Sequence, residues 1–351
     1  VVTVMNGTIA WHPNRDGQGN FSPAQMVTTS AGPSPAPSAY AADIDADGDL
    51  DLFVGVLGGA FNANRTAADN LLFYERTAEG TWSERTRRFL TQVDVGSESV
   101  PALVDLEGDG DLDLVVGSKL DAADLDAGRL HIYENVGGLR GPRFESRGRV
   151  RLADSYHYAP VFADLDGDGT PELLLGTWND DVRLYASVPG PEAGWEPVLD
   201  GPLVELPRGS HSVPAAGDLD GDGDLDLLVG ESSGEINFFR NVGSPTAPQF
   251  ELVTEKLDDI DVGRRSTPVL LDLDGDGDLD LLLGSEEGGV RIFRNVGDAT
   301  AARFEEDGAL DAALPKYAAL TTGDVDGDGD LDLASGGLSG GVVFYRNQRV
   351  R

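Results

Sequence analysis

Residues 218–230 read DLDGDGDLDLLVG. The first nine are an acidic stretch broken by two glycines, and an apolar run of strand length follows at once. The phrase occurs five more times, at 43–55 (DIDADGDLDLFVG), 105–117 (DLEGDGDLDLVVG), 164–176 (DLDGDGTPELLLG), 272–284 (DLDGDGDLDLLLG) and 324–336 (DVDGDGDLDLASG). The starts lie 62, 59, 54, 54 and 52 residues apart. Self-similarity at such a period marks a repeat architecture, in which each copy is one supersecondary unit.

Each nine-residue loop follows D-x-[DE]-x-D-G-x-x-[DE]. Oxygens at positions 1, 3, 5, 7 and 9 suit a hard cation such as calcium, with position 7 offering its backbone carbonyl. Glycine at position 6 allows the positive φ of a sharp turn. The candidate ligands are Asp43, Asp45, Asp47, Asp49 and Asp51 in the first loop, and Asp105, Glu107, Asp109, Asp111 and Asp113 in the second. The third has Asp164, Asp166, Asp168, Thr170 and Glu172, and the fourth Asp218, Asp220, Asp222, Asp224 and Asp226. The fifth has Asp272, Asp274, Asp276, Asp278 and Asp280, and the sixth Asp324, Asp326, Asp328, Asp330 and Asp332. So many carboxylates in nine residues repel one another without a cation. A solvated acidic turn is the bland alternative, and six copies in one register argue against it. About six calcium ions are expected, one per loop, with Glu107 and Glu172 marking the two sites that are weaker or differently shaped. Position 8 is leucine except at Pro171, an apolar plug ahead of the next strand. An EF-hand would need flanking helices and a glutamate at position 12, and the sequence offers neither.

The loops also account for the charge. The chain has 351 residues, 62 Asp and Glu against 26 Lys and Arg, and a formal net charge of −36. The six loops hold 29 of those acids, and without them −7 would remain. A chain this acidic is repelled by nucleic acid and anionic lipid. No apolar run approaches the ~18 residues of a membrane span. Cysteine is absent, which removes disulfides and thiolate chemistry. No charged-then-apolar leader opens the chain at Val1, so any signal peptide is expected to be already removed or not included.

Short apolar runs precede each loop, among them VPALVD, APVFAD, VPAAGD and TPVLLD, and another such as LDLLVG follows it. A third run carries aromatics (RLHIYENVG, INFFRNVG, VRIFRNVG), and a fourth opens on one (RFESRGRV, QFELVTEKL). Four short strands per repeat, here A to D with the loop between A and B, fit the blades of a β-propeller. DLDGDGDLDLLVG followed by a turn and FFRNVG resembles the FG-GAP/VCBS repeat of secreted bacterial propellers and, more distantly, of the integrin α-subunit head. The resemblance spans roughly residues 1 to 347. It implies an all-β propeller with calcium in the A–B loops, and no particular ligand or reaction.

A single propeller domain is expected over 1–351, with units near 1–20 (partial), 21–76, 77–137, 138–189, 190–243, 244–297 and 298–351. There are seven B and seven C strands but only six A strands, because the N-terminus reads as B, C and D. Seven blades are therefore expected, with about half a repeat missing at the front. The alternative is six, with residues 21–27 closing the last blade.

The meander places B–C and D–A turns on the face away from the loops. The first two B–C turns, 57–70 and 118–128, are long. On that face Tyr40, His157, Tyr158, Trp178, Asn179, His211, Arg264, Arg265 and Tyr317 form the candidate ligand-binding set, alongside Tyr156 and Lys316. Aromatics with convergent polar groups suit a sugar or peptide. Ordinary rim residues are the alternative. GESSG (230–234) and GLSGG (337–341) match a nucleophile elbow, but that motif requires a strand turning into a helix and both fall on a B–C hairpin. His12 and His131 fall in C strands and read as packing residues. His157 and His211 occupy equivalent places before neighbouring A strands, either as an acid/base or metal pair or as a coincidence of the repeat. The reading is a calcium-stabilised secreted, periplasmic or cell-surface module that binds glycan or protein. A carbohydrate-active propeller enzyme of lyase or dehydratase type is the alternative, and no catalytic residue declares itself.

Overall fold

In this computed structural model the described residues up to 92 are seven strands together with 12, 22–24 and 81. From 93 onward all residues are described except 94, 96, 122–125, 139–141, 189–193, 245–246, 299, 313, 339 and 348–351. The described chain is all-β, with one 3-10 turn at Leu257–Asp259. None of its helices is long and apolar enough to cross a membrane.

The strands form seven antiparallel sheets. The first two hold β1 (Val2–Met5), β2 (Thr8–Trp11) and β3 (Gln25–Thr28), then β4 (Ser38–Ala42), β5 (Asp51–Gly55), β6 (Leu71–Arg76) and β7 (Trp82–Thr86). The third holds β8 (Val100–Val104), β9 (Asp113–Gly117), β10 (Leu130–Asn135) and β11 (Phe144–Val150). The fourth holds β12 (Ala159–Ala163), β13 (Glu172–Gly176), β14 (Asp181–Val188) and β15 (Gly194–Pro197), with β16 (Val204–Glu205) also paired to β14. The fifth holds β17 (Val213–Gly217), β18 (Asp226–Gly230), β19 (Ile236–Asn241) and β20 (Phe250–Thr254). The last two hold β21 (Thr267–Leu271), β22 (Asp280–Gly284), β23 (Val290–Asn295) and β24 (Phe304–Ala309), then β25 (Leu320–Gly323), β26 (Asp332–Ser335) and β27 (Val343–Tyr345).

The innermost strands β8, β12, β17, β21 and β25 touch in that order, and β25 touches β8 again. The ring therefore has five blades, which overturns both the expected seven and the alternative six. A channel of about 200 Å³ runs between these strands. Pro101, Pro160, Pro214 and Pro268 take the second place on four of them. Proline lacks an N–H, so it fits an edge strand that faces the axis and has one pairing partner.

The glycine that ends each repeated phrase fixes how close the blades come. A Cβ on Gly117 would stand 1.9 Å from the Tyr158 carbonyl oxygen, one on Gly176 2.2 Å from Ser212 O, and one on Gly230 2.2 Å from Ser266 O. The series continues with Gly284 at 1.9 Å from Ala318 O and closes with Gly336 at 2.0 Å from Ser99 O. A side chain there would hold the blades apart. Leucines and valines of facing sheets fill the spaces outside this contact, as where Leu228 and Ile236 meet Leu281, Leu283 and Phe293.

Closure of the ring is made by residues that the repeat count did not single out. Val95 N–H donates to Gly340 O at 2.8 Å and Val342 N–H to Val93 O at 3.2 Å, so the 93–95 segment borders the last blade. Phe144 stacks on Phe344 at 5.4 Å across the same seam. The first sheet does hold the strands read as B, C and D, but β3 pairs with β2, and β1 touches β4. Counting copies tells how many blades exist. Which of them enter the ring depends on which outer segment reaches the last blade.

Candidate functional site

Two groups of side chains occupy opposite faces of the ring. On the A–B face the loops share one backbone design. The position-1 aspartate is the hub: Asp218 Oδ1 accepts from Gly221 N at 2.7 Å and Oδ2 from Gly223 N at 3.1 Å, and Asp105 and Asp272 do the same in their own loops. Position 5 accepts from the N–H of position 7, as Asp222 does from Asp224 at 2.9 Å. Position 4 is also left-handed, with φ near that of Gly221 at 73°, a second glycine requirement that the sequence reading missed.

Position 9 has a role beyond the loop. Asp226 Oδ2 accepts from Leu219 N and Oδ1 from Asn241 N, at 3.2 and 2.8 Å. Asn241 Oδ1 in turn accepts from Gly243 N and Gln249 N. Asp113 with Asn135, and Asp280 with Asn295, repeat the arrangement. The asparagine of the recurring RNVG or ENVG phrase thus staples the loop to the third strand and its following turn. Its recurrence was the available signal.

Three carboxylates offer oxygens within 4.8 Å of one another in four loops: Asp164, Asp166 and Glu172; Asp218, Asp220 and Asp226; Asp272, Asp274 and Asp276; Asp324, Asp326 and Asp332. Among the described residues Asp220 Oδ1 and Asp326 Oδ1 are buried without a hydrogen-bond partner. Burial, then the charges of Asp220 and Asp222, pushes Asp226 up to about 6 against its two backbone hydrogen bonds. The 105–113 loop differs. A hydrogen bond with Asp113, then burial, pushes Glu107 up to about 8. Arg240 meets Asp220 at 3.1 Å and Arg294 meets Asp280 at 2.7 Å, whereas Glu134 holds the equivalent place beside Glu107 and pairs with Arg147 instead. Crowded oxygens, unpartnered buried lone pairs and raised carboxyls fit a hard divalent cation. Those residues would hold it, and it would supply the missing positive charge. Asp43, Asp45, Asp47 and Asp49 of the first loop lie outside the described residues, and of Asp51 only the backbone, in β5, is described.

On the other face the turns interlock. Lys119 N donates to Ser97 O, His157 N to Lys119 O, Trp178 N to Tyr156 O and Ser212 N to Thr177 O. The circuit continues through Arg265 N to Ser232 O and Tyr317 N to Glu286 O, and ends with Glu98 N to Leu338 O. Five pseudo-equivalent residues, Glu98, His157, His211, Arg265 and Tyr317, come together at the axial mouth. His157 and His211 stack at 3.5 Å between ring centroids, and Tyr317 meets His211 edge-on at 5.1 Å. Trp178 stands edge-on to His211 at 5.7 Å, with Lys119 Nζ 4.9 Å and the Arg265 guanidinium 5.8 Å from its ring. Glu98 takes Lys119 Nζ at 2.7 Å and Arg265 Nη1 at 3.0 Å. Burial alone would raise Glu98, but His211, Lys119 and Arg265 outweigh it and hold the carboxyl at about 2. Burial lowers both histidines, so they stay neutral near pH 7.

Most of the expected ligand set is placed on this mouth, with two corrections. Tyr158 is fully buried, accepts from Ala153 N at 2.6 Å and donates to Ala153 O at 2.5 Å, and packs among Val115, Leu130 and Leu173. It belongs to the inter-blade core, because its side chain points along the blade seam. His157, His211 and Tyr317 are also fully buried and form the floor of the mouth. Trp178 is half-buried, and Asn179 and Arg264 are exposed. A polar cavity of about 460 Å³ opens beside Asn179, lined also by Arg151, Asp154 and Arg183. The side chain of Tyr40 lies outside the described residues. Glu98 and Lys119 were missed, although Glu98 stands before VPALVD as His211 stands before VPAAGD. His131 is half-buried in β10, and the desolvation there lowers it to about 4. GESSG forms the turn between β18 and β19, with Ser232 and Ser233 bonded to Glu231.

A family model described as FG-GAP-like repeat matches residues 1–54 and 272–348. Those two stretches carry the FG-GAP-like repeat, and the chain that holds them folds as a β-propeller. Integrin alpha-6 of Gallus gallus is 28% identical over 176 residues, covering 47% of this chain and 16% of the integrin. Integrin alpha-7 of Homo sapiens is 29% identical over 150 residues, covering 40% and 12%. The chain thus matches less than a fifth of either relative's length. A solved lectin from Burkholderia pseudomallei overlays 98% of this chain and 90% of its own, at a TM-score of 0.42 and 13% identity.

Proposed function

We propose that this propeller is an extracellular binding module, rigidified by calcium in its A–B loops, that recognises glycan or protein on the opposite face. The observation that carries the reading is the contrast between faces. The A–B loops repeat one design and cannot tell one ligand from another. At the axial mouth the turns contribute glutamate, histidine twice, arginine and tyrosine, and the half-buried Trp178 and the exposed Asn179, Arg264 and Lys316 stand on neighbouring turn positions. Variable turns on fixed strands give specificity at low ordering cost. An aromatic face with neighbouring cations suits a hydroxylated or acidic ligand.

Calcium serves the scaffold in this reading. A site that binds only in the folded state adds about 4 kcal/mol when free calcium is a thousandfold above Kd. Millimolar extracellular calcium favours such sites, which is the support for placing the module outside the cell. Glycan and peptide arrays, run with calcium and with chelator, are the test. Trp178→Ala and Arg264→Ala should weaken whatever ligand emerges while the melting temperature stays within a few degrees. Asp276→Ala should lower the calcium-dependent melting temperature first. A ligand seated on the A–B loops, or one indifferent to both mouth substitutions, overturns the assignment. Turnover of a bound sugar would move the protein to the enzyme class.

A further inference from the structure

The floor of the mouth holds a set of atoms that the binding reading leaves unused. Glu98, His157 and His211 come from three successive blades, each two residues before an innermost strand, with φ of 42°, 54° and 65°. Left-handed backbone is unfavourable for side chains with a Cβ, and here it points all three at the axis. Both histidines are completely buried and Glu98 is 6% exposed. Glu98 Oε1 is spent on Lys119 and Arg265, but among the described residues Oε2 has no hydrogen-bond partner. Nor have His211 Nδ1, His211 Nε2 or His157 Nδ1, while His157 Nε2 has only the Tyr317 hydroxyl at 3.5 Å. Native interiors rarely leave so many polar atoms unsatisfied in one place.

Their spacing indicates what fills the gap. One ligand atom from each of the three residues lies within 4.8 Å of the others. His211 Nε2 and Glu98 Oε2 are 3.8 Å apart, too far for a hydrogen bond. Zinc binds such atoms at roughly 2.0–2.2 Å, which puts two tetrahedral ligands about 3.3–3.5 Å apart. Glu98 Oε2 and His211 Nε2 need to close by only a few tenths of an ångström, and one imidazole must turn out of the 3.5 Å stack to bring its nitrogen to the same ion. We propose that Glu98, His157 and His211 bind one first-row transition ion of the zinc class at the axial mouth. Two imidazoles and a carboxylate select such an ion over calcium, whereas the all-oxygen loops on the other face do the opposite. Lys119 and Arg265 are held by the other oxygen of Glu98, and Glu286 offsets part of their charge at 3.3 Å from Arg265 Nε. The ion ties three blades together over the end of the axial channel. This assignment does not depend on the glycan or protein reading.

The test uses the full chain, stripped with chelator, returned to excess calcium so that the acidic loops are filled, and titrated with Co²⁺ and then Zn²⁺. One equivalent of Co²⁺ should bind with a visible d–d absorption band, zinc should displace it, and zinc should raise the melting temperature. His211→Ala and Glu98→Gln should each weaken Co²⁺ binding at least tenfold while leaving the calcium-induced rise in melting temperature. Wild-type protein that shows no such band and retains no zinc overturns the proposal by itself, even if the substituted chains fail to fold. A band unchanged in folded His211→Ala protein overturns it as well.

Discussion

The glycine that closes each repeated phrase sets the tightest tolerance in the molecule. Gly230 lies so close to the next blade that a Cβ would overlap Ser266 O at 2.2 Å, and that oxygen belongs to backbone. Gly230→Ala must therefore push the end of β18 away from the start of β21 in the next blade, an overpacking cost of about 1–3 kcal/mol or more. Gly201 is the internal control, because a Cβ there meets nothing within 4 Å. Gly201→Ala should stay within about 0.5 kcal/mol of wild type. Denaturant melts of the two variants decide the matter, and equal midpoints would show that the blades do not meet as described. The left-handed glycine at position 4 of the loops gives a related expectation. Ala46 takes that place in the first loop, where five other copies carry glycine. If calcium binds there, a loop with alanine at this position should bind it more weakly than the same loop with glycine, so Ala46→Gly should strengthen the first site, as read by calcium titration of the two chains.

At the scale of the element, the loop with its stapled third strand is the unit that should answer to pH and, on the proposed reading, to calcium. Asp226 and Glu107 have folded pKa values raised to about 6 and about 8. A group whose pKa rises on folding stabilises the fold below its unfolded pKa and loses that contribution as pH climbs through the folded value. Unfolded carboxylates titrate near 4, so the calcium-free protein should become less stable between about pH 4 and pH 8. Calcium bound at the loops would replace the protons, and the gain in melting temperature on adding it should grow over the same range. Melts in chelator and in calcium at pH 5, 6, 7 and 8 check both slopes, and a calcium gain independent of pH would refute the linkage. The acidic pattern of these loops was legible in the sequence because positions 1, 3, 5 and 9 are chemically explicit. The staple was less so: Asn241 reads as part of a strand, and only the register brings its N–H to Asp226 at 2.8 Å. Glu107 was marked as a departure, but the sequence did not show that Glu134 would stand where Arg240 and Arg294 stand in other blades.

For the whole molecule, strands, meander and inter-blade faces followed from periodic runs and turns, and the ring size did not. Blade number depends on one long-range event, the meeting of residues 93–95 with 340–342, and nothing local to either segment announces it. The mouth was partly legible for the same reason. His157 and His211 stood in equivalent repeat positions, yet Glu98 joins them only because β8 lies next to both β12 and β25. A five-bladed ring makes a strong demand on the chain. Every innermost strand of the ring, all five close glycine contacts and the closing segment lie between Val93 and Tyr345. A chain comprising residues 93–351 should therefore fold by itself in calcium, melt cooperatively within a few degrees of the full chain's ring transition, and keep the mouth intact. In the same fragment Val95→Pro should be severe, because it removes the N–H that donates to Gly340 and disturbs a fully buried side chain at the seam. A larger ring that recruits the first two sheets predicts the reverse: the fragment would be missing two blades and would not melt cooperatively, and Val95→Pro would change little. Circular dichroism and calorimetry on the two fragments separate these outcomes.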